Sequence, residues 1–175
     1  MILGVVLAGG ESTRFGSDKA LALLNGQTLL ARAIEALGRL TDDVVVVGRA
    51  EAAVKCLPDW PKPGLGPLGG IAAALRHAGQ NGYHLILTCG VDSAQWPDNL
   101  LALLEPPAYL ADQPVIGLWP ADALPAVTAI LAGDGRHSMR AFADAIGAQA
   151  VHAPTFSANI NTPADLAALE HRDGL

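Results

Sequence analysis

The chain has 175 residues, 51% of them hydrophobic and only 16% charged, which excludes a disordered protein and predicts one domain (residues 1–175) with a sizeable core. Its net charge of −6 argues against non-specific binding to nucleic acid or a membrane surface, so an anionic ligand needs local cations, backbone amides or a metal. No apolar run is as long as a membrane span, and the start of the chain reads as a core strand rather than a signal peptide.

Residues 2–7 (Ile-Leu-Gly-Val-Val-Leu) are an unbroken apolar run, the pattern of a strand buried on both faces of a parallel sheet. A loop of small and charged residues follows, through Lys19. Leu21 to Leu24 is a short apolar piece that turns at Asn25-Gly26. Thr28 is placed to cap a helix through about Leu40, with Leu29, Leu30, Ala33, Ile34 and Leu37 on one stripe. Val44 to Val47 reads as a second buried strand, ended by Gly48, and residues 51–57 as a short helix. Residues 58–67 hold four prolines and two glycines, which rules out a helix or strand interior there.

A small-residue helix is expected from Leu68 to Ala78, with Pro67 in its first turn. A third strand follows from His84 to Thr88, with Cys89 to Asp92 just past its end. Pro97 should start a helix that Pro106-Pro107 ends. Val115 to Trp119 reads as a strand, 123–132 and 138–146 as helices, and 148–151 as a last strand. Thr162-Pro163 opens a final helix with Thr162 as its cap. Strands alternating with helices predict an α/β fold: a doubly wound, mostly parallel sheet with helices on both faces, and no internal repeat or linker. Cys56 and Cys89 have no ligand spacing and read as small buried side chains of a reducing cytoplasm. The five histidines form no metal-ligand pair.

The chemistry concentrates in Leu7-Ala8-Gly9-Gly10-Glu11-Ser12-Thr13-Arg14-Phe15-Gly16-Ser17-Asp18-Lys19. A strand that runs straight into this loop sets backbone amides at the carboxyl edge of the sheet, where open α/β sheets bind ligands. Gly9 and Gly10 lack a Cβ, so successive amides can approach an anion. Arg14 and Lys19 bring the positive charge a triphosphate needs. No Gly-x-x-x-x-Gly-Lys-Ser/Thr pattern passes through the loop, so it is not a P-loop. Gly64-Leu65-Gly66-Pro67-Leu68-Gly69 spells a dinucleotide fingerprint, but the prolines before it deny it the strand that such a fingerprint must follow.

The run from Leu7 to Leu21 resembles Leu-Ala-Gly-Gly-x-Ser-x-Arg-Met-Gly-x-Asp-Lys-Ala-Leu, the signature of the molybdenum cofactor guanylyltransferases, or MobA-type proteins. Phe15 stands at the methionine. Three more motifs follow in that family's order. Gly66-Pro67-Leu68-Gly69-Gly70 is similar to its Gly-Pro-Leu-Ala-Gly element. Val91-Asp92-Ser93-Ala94-Gln95-Trp96-Pro97 resembles Asp-Thr-Pro-x-x-Pro without the first proline. Asn159-Ile160-Asn161-Thr162-Pro163-Ala164-Asp165-Leu166 resembles Asn-Ile-Asn-Thr-Pro-Glu-Asp-Leu. The family's asparagine after the second strand is missing, with Val47-Gly48-Arg49 in its place, and residues 105–114 look trimmed where the family has an additional strand.

The resemblance implies a Rossmann-like nucleotidyltransferase that joins GTP to molybdopterin and releases pyrophosphate. It implies that Leu7, Ala8, Gly9, Gly10 and Gly66 lie along the nucleotide, that Lys19 and Arg14 offset charge on the phosphates, and that Asp92 holds Mg²⁺. Asp92 suits that ion on its own terms too, since Mg²⁺ usually takes one or two carboxylates plus substrate phosphates. Otherwise it is a turn or cap aspartate. Asp59, seven residues before Gly66, is a solvated loop aspartate by itself and a guanine ligand by resemblance. Asn159 and Asn161 either face one cleft, on the acceptor or metal side, or shape the turn before the last helix. Arg136 and Arg140 either hold the pterin phosphate or coat a surface helix. The alternatives are a nucleotidyltransferase that uses CTP or a sugar-phosphate acceptor, and a non-catalytic nucleotide-binding module. Other cofactor-biosynthesis proteins are the expected further partners.

Overall fold

The computed structural model describes residues 1–10, 18–93, 96–154 and 160–173. Its centre is a seven-stranded sheet. In chain order the main-sheet strands and helices are β1 (Ile2–Leu7), α1 (Leu29–Gly38), β4 (Asp43–Val47), β5 (Lys55–Leu57), α2 (Pro67–Gln80), β6 (Leu85–Gly90), α3 (Leu100–Leu103), β7 (Ala108–Leu110), β8 (Gln113–Pro120), α4 (Leu124–Ala132), α5 (Met139–Ala145), β9 (Gln149–Val151) and α6 (Pro163–Asp173). A separate small hairpin joins β2 (Leu23–Leu24) to β3 (Gln27–Thr28). Asn25 and Gly26 at its tip have φ of 51° and 79°, the mirror-image turn that matches strand twist.

The strand order is β5-β4-β1-β6-β8-β7-β9. β4, β1 and β6 run parallel, as do β4 with β5 and β7 with β9, while β8 runs antiparallel to both its neighbours. The chain leaves β1 for β4 and β5 on one side, then crosses through α2 to β6 on the other. That reversal opens a crevice at the carboxyl ends of β1 and β6, the switch point where ligands enter such sheets.

Helices cover both faces, as the alternating strand residues require. Leu3, Val5, Val45, Val47 and Ile86 pack against α2, α4 and α5, with Trp119 and Phe142 in the same cluster. Val6, Val46, Leu87 and Cys89 pack against Leu30, Ala33 and Leu37 of α1 and Leu100 of α3. Burying each leucine or valine fully adds about 1.5–3 kcal/mol, which is why these runs hold their strands in place. The buried Trp119 donates its indole N–H to the Thr88 hydroxyl at 2.9 Å, and Thr88 donates onward to the Val115 carbonyl at 2.7 Å.

Helix caps follow the expected chemistry. The Thr28 hydroxyl accepts from Ala31 N–H at 3.1 Å and Ser138 does the same for Ala141. Thr162 and Asp165 cap α6 reciprocally, each side chain accepting from the other's backbone amide.

Four expectations need correction. Residues 51–57 hold no helix. Lys55–Leu57 instead adds a parallel strand beside β4, because edge pairing satisfies its backbone groups where so short a helix would leave most of them open. The helix after Pro97 has only four residues, Leu100–Leu103. Residues 105–114 do contain a strand, β7, held between β8 and β9. Cys56 is half-buried on the edge strand, unlike the fully buried Cys89.

Candidate nucleotide site

The loop after β1 begins with Ala8, whose amide donates to the Val47 carbonyl at 3.0 Å and so continues the pairing with β4. Gly9 then lies backbone to backbone on Gly48, which follows β4. A methyl group built on Gly48 would sit 2.4 Å from the nitrogen and Cα of Gly9, and Gly48 has φ of 83°. Both features demand glycine. Gly10 has φ of 146°, and among the described residues no atom lies within 4 Å of where its Cβ would be.

The chain re-enters the described structure at Asp18, whose carboxylate accepts from Ala20 N–H at 3.2 Å and caps a one-turn 3₁₀ helix over Lys19–Leu21. Ala20 anchors that turn in the α1 side of the core. Lys19, its first residue, is thereby carried over the crevice. Its ammonium donates to Asp92 Oδ2 at 3.2 Å, and the side chains of the pair are 14% and 29% exposed.

Asp92 sits two residues past β6. A Cβ on Gly90 would lie 2.4 Å from Asp92 Oδ1, so the carboxylate folds back over the strand end only because residue 90 is glycine. The Asp92 carbonyl accepts from Ile160 N–H at 3.2 Å, tying the segment before α6 to this loop. Ile160 is itself buried against Leu24, Leu29 and Leu169. Beneath the loop, burial and the Asp92 charge push the Cys89 thiol far up, which keeps it protonated and inert.

Asp59 lies against the start of α2. The amide of the next residue, Trp60, donates to the Gly69 carbonyl at 3.1 Å, and a Cβ on Gly69 would lie 3.3 Å from Asp59 Cβ. Gly70 allows the same closeness to the sheet: its Cβ would meet Val47 Cγ2 at 2.6 Å. The two glycines of this element therefore let α2 press against Asp59 and β4. Gly66, with φ of 66°, is the residue before α2 and its carbonyl accepts from Gly69 N–H. Burial raises the Asp59 carboxyl above its usual range, partly offset by a hydrogen bond from the Gly64 amide.

The comparisons bear on this constellation. A family model described as a MobA-like NTP transferase domain matches residues 4–153. A protein named molybdenum cofactor guanylyltransferase from Rhodobacter capsulatus is 33% identical over 183 residues, which cover 98% of this chain and 96% of the relative. The chain belongs to the MobA-like NTP transferase family. Among solved structures, it is similar to molybdopterin-guanine dinucleotide biosynthesis protein A from Archaeoglobus fulgidus, with a TM-score of 0.73, 19% identity and 98% coverage of each chain. It is also similar in fold to 2-C-methyl-D-erythritol 4-phosphate cytidylyltransferase from Thermus thermophilus, with a TM-score of 0.68, 18% identity and 98% coverage of each.

Against that family's pattern, Lys19, Asp92, Gly9 and Gly10 gather at one crevice, and Leu7 is the last residue of β1. Asn161 lies beside it through its neighbour Ile160, but its backbone amide serves the α6 cap by donating to Asp165 Oδ2 at 2.9 Å. Arg136 and Arg140 are exposed near the start of α5, which the topology places at the same sheet edge. Arg14 and Asn159 fall outside the described residues. Two features escaped the sequence reading, namely Gly90, which shapes the Asp92 turn, and Gly48-Arg49, which touches the loop after β1. The signal for Gly48 was its position directly after a strand; for Arg49 there was none, since its partner lies 31 residues away. Among the described residues no three His, Cys, Asp or Glu side chains are placed to hold a metal ion, and no helix is long and apolar enough to cross a membrane.

Proposed function

We propose that this chain transfers GMP from GTP to molybdopterin, forming the guanine dinucleotide cofactor and pyrophosphate. The observation that carries the reading is the pairing of Lys19 with Asp92 at the switch-point crevice, with Gly9 and Gly10 in the loop that leaves β1. It sets one cation and one carboxylate where a triphosphate and its metal would lie.

The acceptor needs little activation. A terminal phosphate with a second pKa of about 6 is already an anionic nucleophile near neutrality. The chain's part is therefore positioning for in-line attack and charge stabilisation at the α-phosphate. Leu7, Ala8, Gly9, Gly10 and Gly66 lie along the nucleotide, and Lys19 and Arg14 offset the charge that develops on the phosphates. Mg²⁺, held by Asp92 and the substrate phosphates, would supply Lewis-acid polarisation of the phosphoryl oxygens. The donor set fits that ion, since a single carboxylate at a phosphate site suits a cation that keeps most of its shell as phosphate oxygen and water. Before substrate binds, Lys19 and Asp92 neutralise each other. A bound nucleotide would give the Lys19 ammonium a phosphate partner and leave the Asp92 carboxylate to hold the metal.

Asp59 reads the base. Guanine offers N1–H and N2–H₂ side by side, which one carboxylate accepts together. Asn161, Arg136 and Arg140 are the candidates for holding the acceptor, with Asn159 assigned there from the motif alone, and a reducing cytoplasm suits the two free thiols.

Incubation of the purified protein with molybdopterin, Mg²⁺ and GTP, CTP or ATP tests the reading. Pyrophosphate and a guanine dinucleotide are expected with GTP. Release with CTP instead would favour the cytidylyltransferase alternative, which the glycine at position 48 invites because the family's asparagine is missing there. Tight nucleotide binding without any pyrophosphate would leave a binding module.

A further inference from the structure

Arg49 is the first side chain beyond Gly48, two residues past the end of β4, the strand next to β1. Its guanidinium grips the Asp18 carboxylate with two parallel hydrogen bonds, Nη1 to Oδ1 at 3.0 Å and Nη2 to Oδ2 at 2.8 Å. Such a fork fixes orientation as well as distance. The pairing lowers the Asp18 carboxyl, so the ion pair is complete at neutral pH. Oδ1 of the same carboxylate also accepts from Ala20 N–H, so the group that Arg49 holds is the cap of the turn that begins with Lys19.

The end of β4 thus touches the phosphate-loop region at both of its described flanks. Val47 and Gly48 meet Ala8 and Gly9 at the entry, and Arg49 meets Asp18 at the exit. On the other side of β1, Asp92 after β6 meets Lys19. The Lys19 turn is therefore suspended between the two strands that flank β1.

We infer that Arg49 is a positioning residue for the transfer reaction: through Asp18 it fixes the Lys19 turn, and so the place of the Lys19 ammonium over the triphosphate site. This rests on the proposed nucleotidyl transfer. The side chains of the pair are 20% and 45% exposed, and ion pairs of that kind contribute little to stability. What the pair supplies is geometry, and a misplacement near 1 Å at a reacting centre costs as much as a hundredfold in rate.

The test is a mutant cycle in the full chain, read by steady-state transfer, by GTP–Mg²⁺ affinity and by thermal unfolding. Arg49→Ala should lower kcat by about 10–100-fold, with a smaller change in KM and a midpoint close to wild type. Arg49→Lys keeps a charge but not the fork and should recover only part of the loss. Asp18→Asn should fall to a similar level, and the double variant no further than the worse single one. In a Lys19→Ala background, Arg49→Ala should cost nothing more. Penalties that multiply in that background mean Arg49 touches substrate directly, and a collapse of the midpoint in step with the rate means it is merely structural; either result overturns the inference. If wild type binds GTP but transfers nothing, the functional reading fails, and the same cycle read as GTP affinity still decides the role of Arg49.

Discussion

At the residue scale, the two carboxylates of the proposed site, Asp92 and Asp59, have separable duties. Asp92 carries the metal in the proposed reaction, and its isostere keeps the volume while giving up the charge. Asp92→Asn should lower kcat more than about a hundredfold. GTP affinity without metal should hold or improve, because Lys19 loses its intramolecular competitor. Titrations with and without Mg²⁺ check this, and an active variant with unchanged Mg²⁺ dependence would falsify the assignment. In the same proposed reaction, Asp59 carries the base choice. Only its ionised form accepts both guanine donors, and burial raises its pKa in the folded chain. GTP preference over ATP and CTP should therefore strengthen as pH rises through that raised value and fade in more acid solution. Asp59→Ala leaves the donors unpaired, at about 1–3 kcal/mol per group, and should remove both the preference and its pH dependence. Parallel kinetics on the three nucleotides at two pH values would expose a base read elsewhere, since the variant would then keep its preference.

At the element scale, α2 shows how small residues trade conformational freedom for close approach. Gly70 faces Val47 with no room for a methyl group, whereas Gly79 has nothing within 4 Å of its missing Cβ. The same substitution should then act with opposite signs. Gly70→Ala overpacks the helix against β4 and should cost about 1–3 kcal/mol. Gly79→Ala removes backbone freedom from the unfolded chain and should gain about 0.5–1 kcal/mol. Urea denaturation of the two variants measures both; equal effects would mean that α2 does not sit against the sheet as described. Elements also differ in how openly the sequence declares them. β1 is an unbroken apolar run, and β4 and β6 are apolar except for Asp43 and Thr88, because these central strands are buried on both faces. β5 and β7 are three residues each, with Lys55 exposed and Tyr109 buried, and exist because a neighbouring strand offers hydrogen bonds. No local pattern reports such pairing.

At the scale of the whole molecule, the doubly wound order follows from alternation alone, and the crevice from the loop that leaves β1. Asp92 was legible because it follows a strand end. Arg49 was not, because a contact between residues 18 and 49 leaves no trace in spacing. Contacts of that kind also set how the fold responds to pH. Asp18 is held below the usual carboxylate range by Arg49, and Glu35 by Gln27 and Arg39. Asp165 is lowered by the Thr162 hydroxyl and the amides of Asn161 and Thr162. A carboxyl whose folded pKa is depressed adds stability that is present above its unfolded value and lost as pH falls through the folded one. Tyr83 works in the other direction. Its hydroxyl donates to Asp43, which raises its pKa, so its contribution is full below the ordinary tyrosine range and disappears as pH rises through the raised value. Stability should then form a plateau through neutral pH with an acid edge set by carboxyls and an alkaline edge set in part by Tyr83. Asp165→Asn isolates one contribution to the acid edge, since the amide oxygen can still accept from the α6 amides but carries no charge. The variant should be less stable than wild type at pH 7, and the difference should shrink as pH falls and the wild-type carboxyl takes up its proton. Chemical denaturation across acid and neutral pH measures it, and a difference that stays constant over that range would show that Asp165 acts through shape rather than charge.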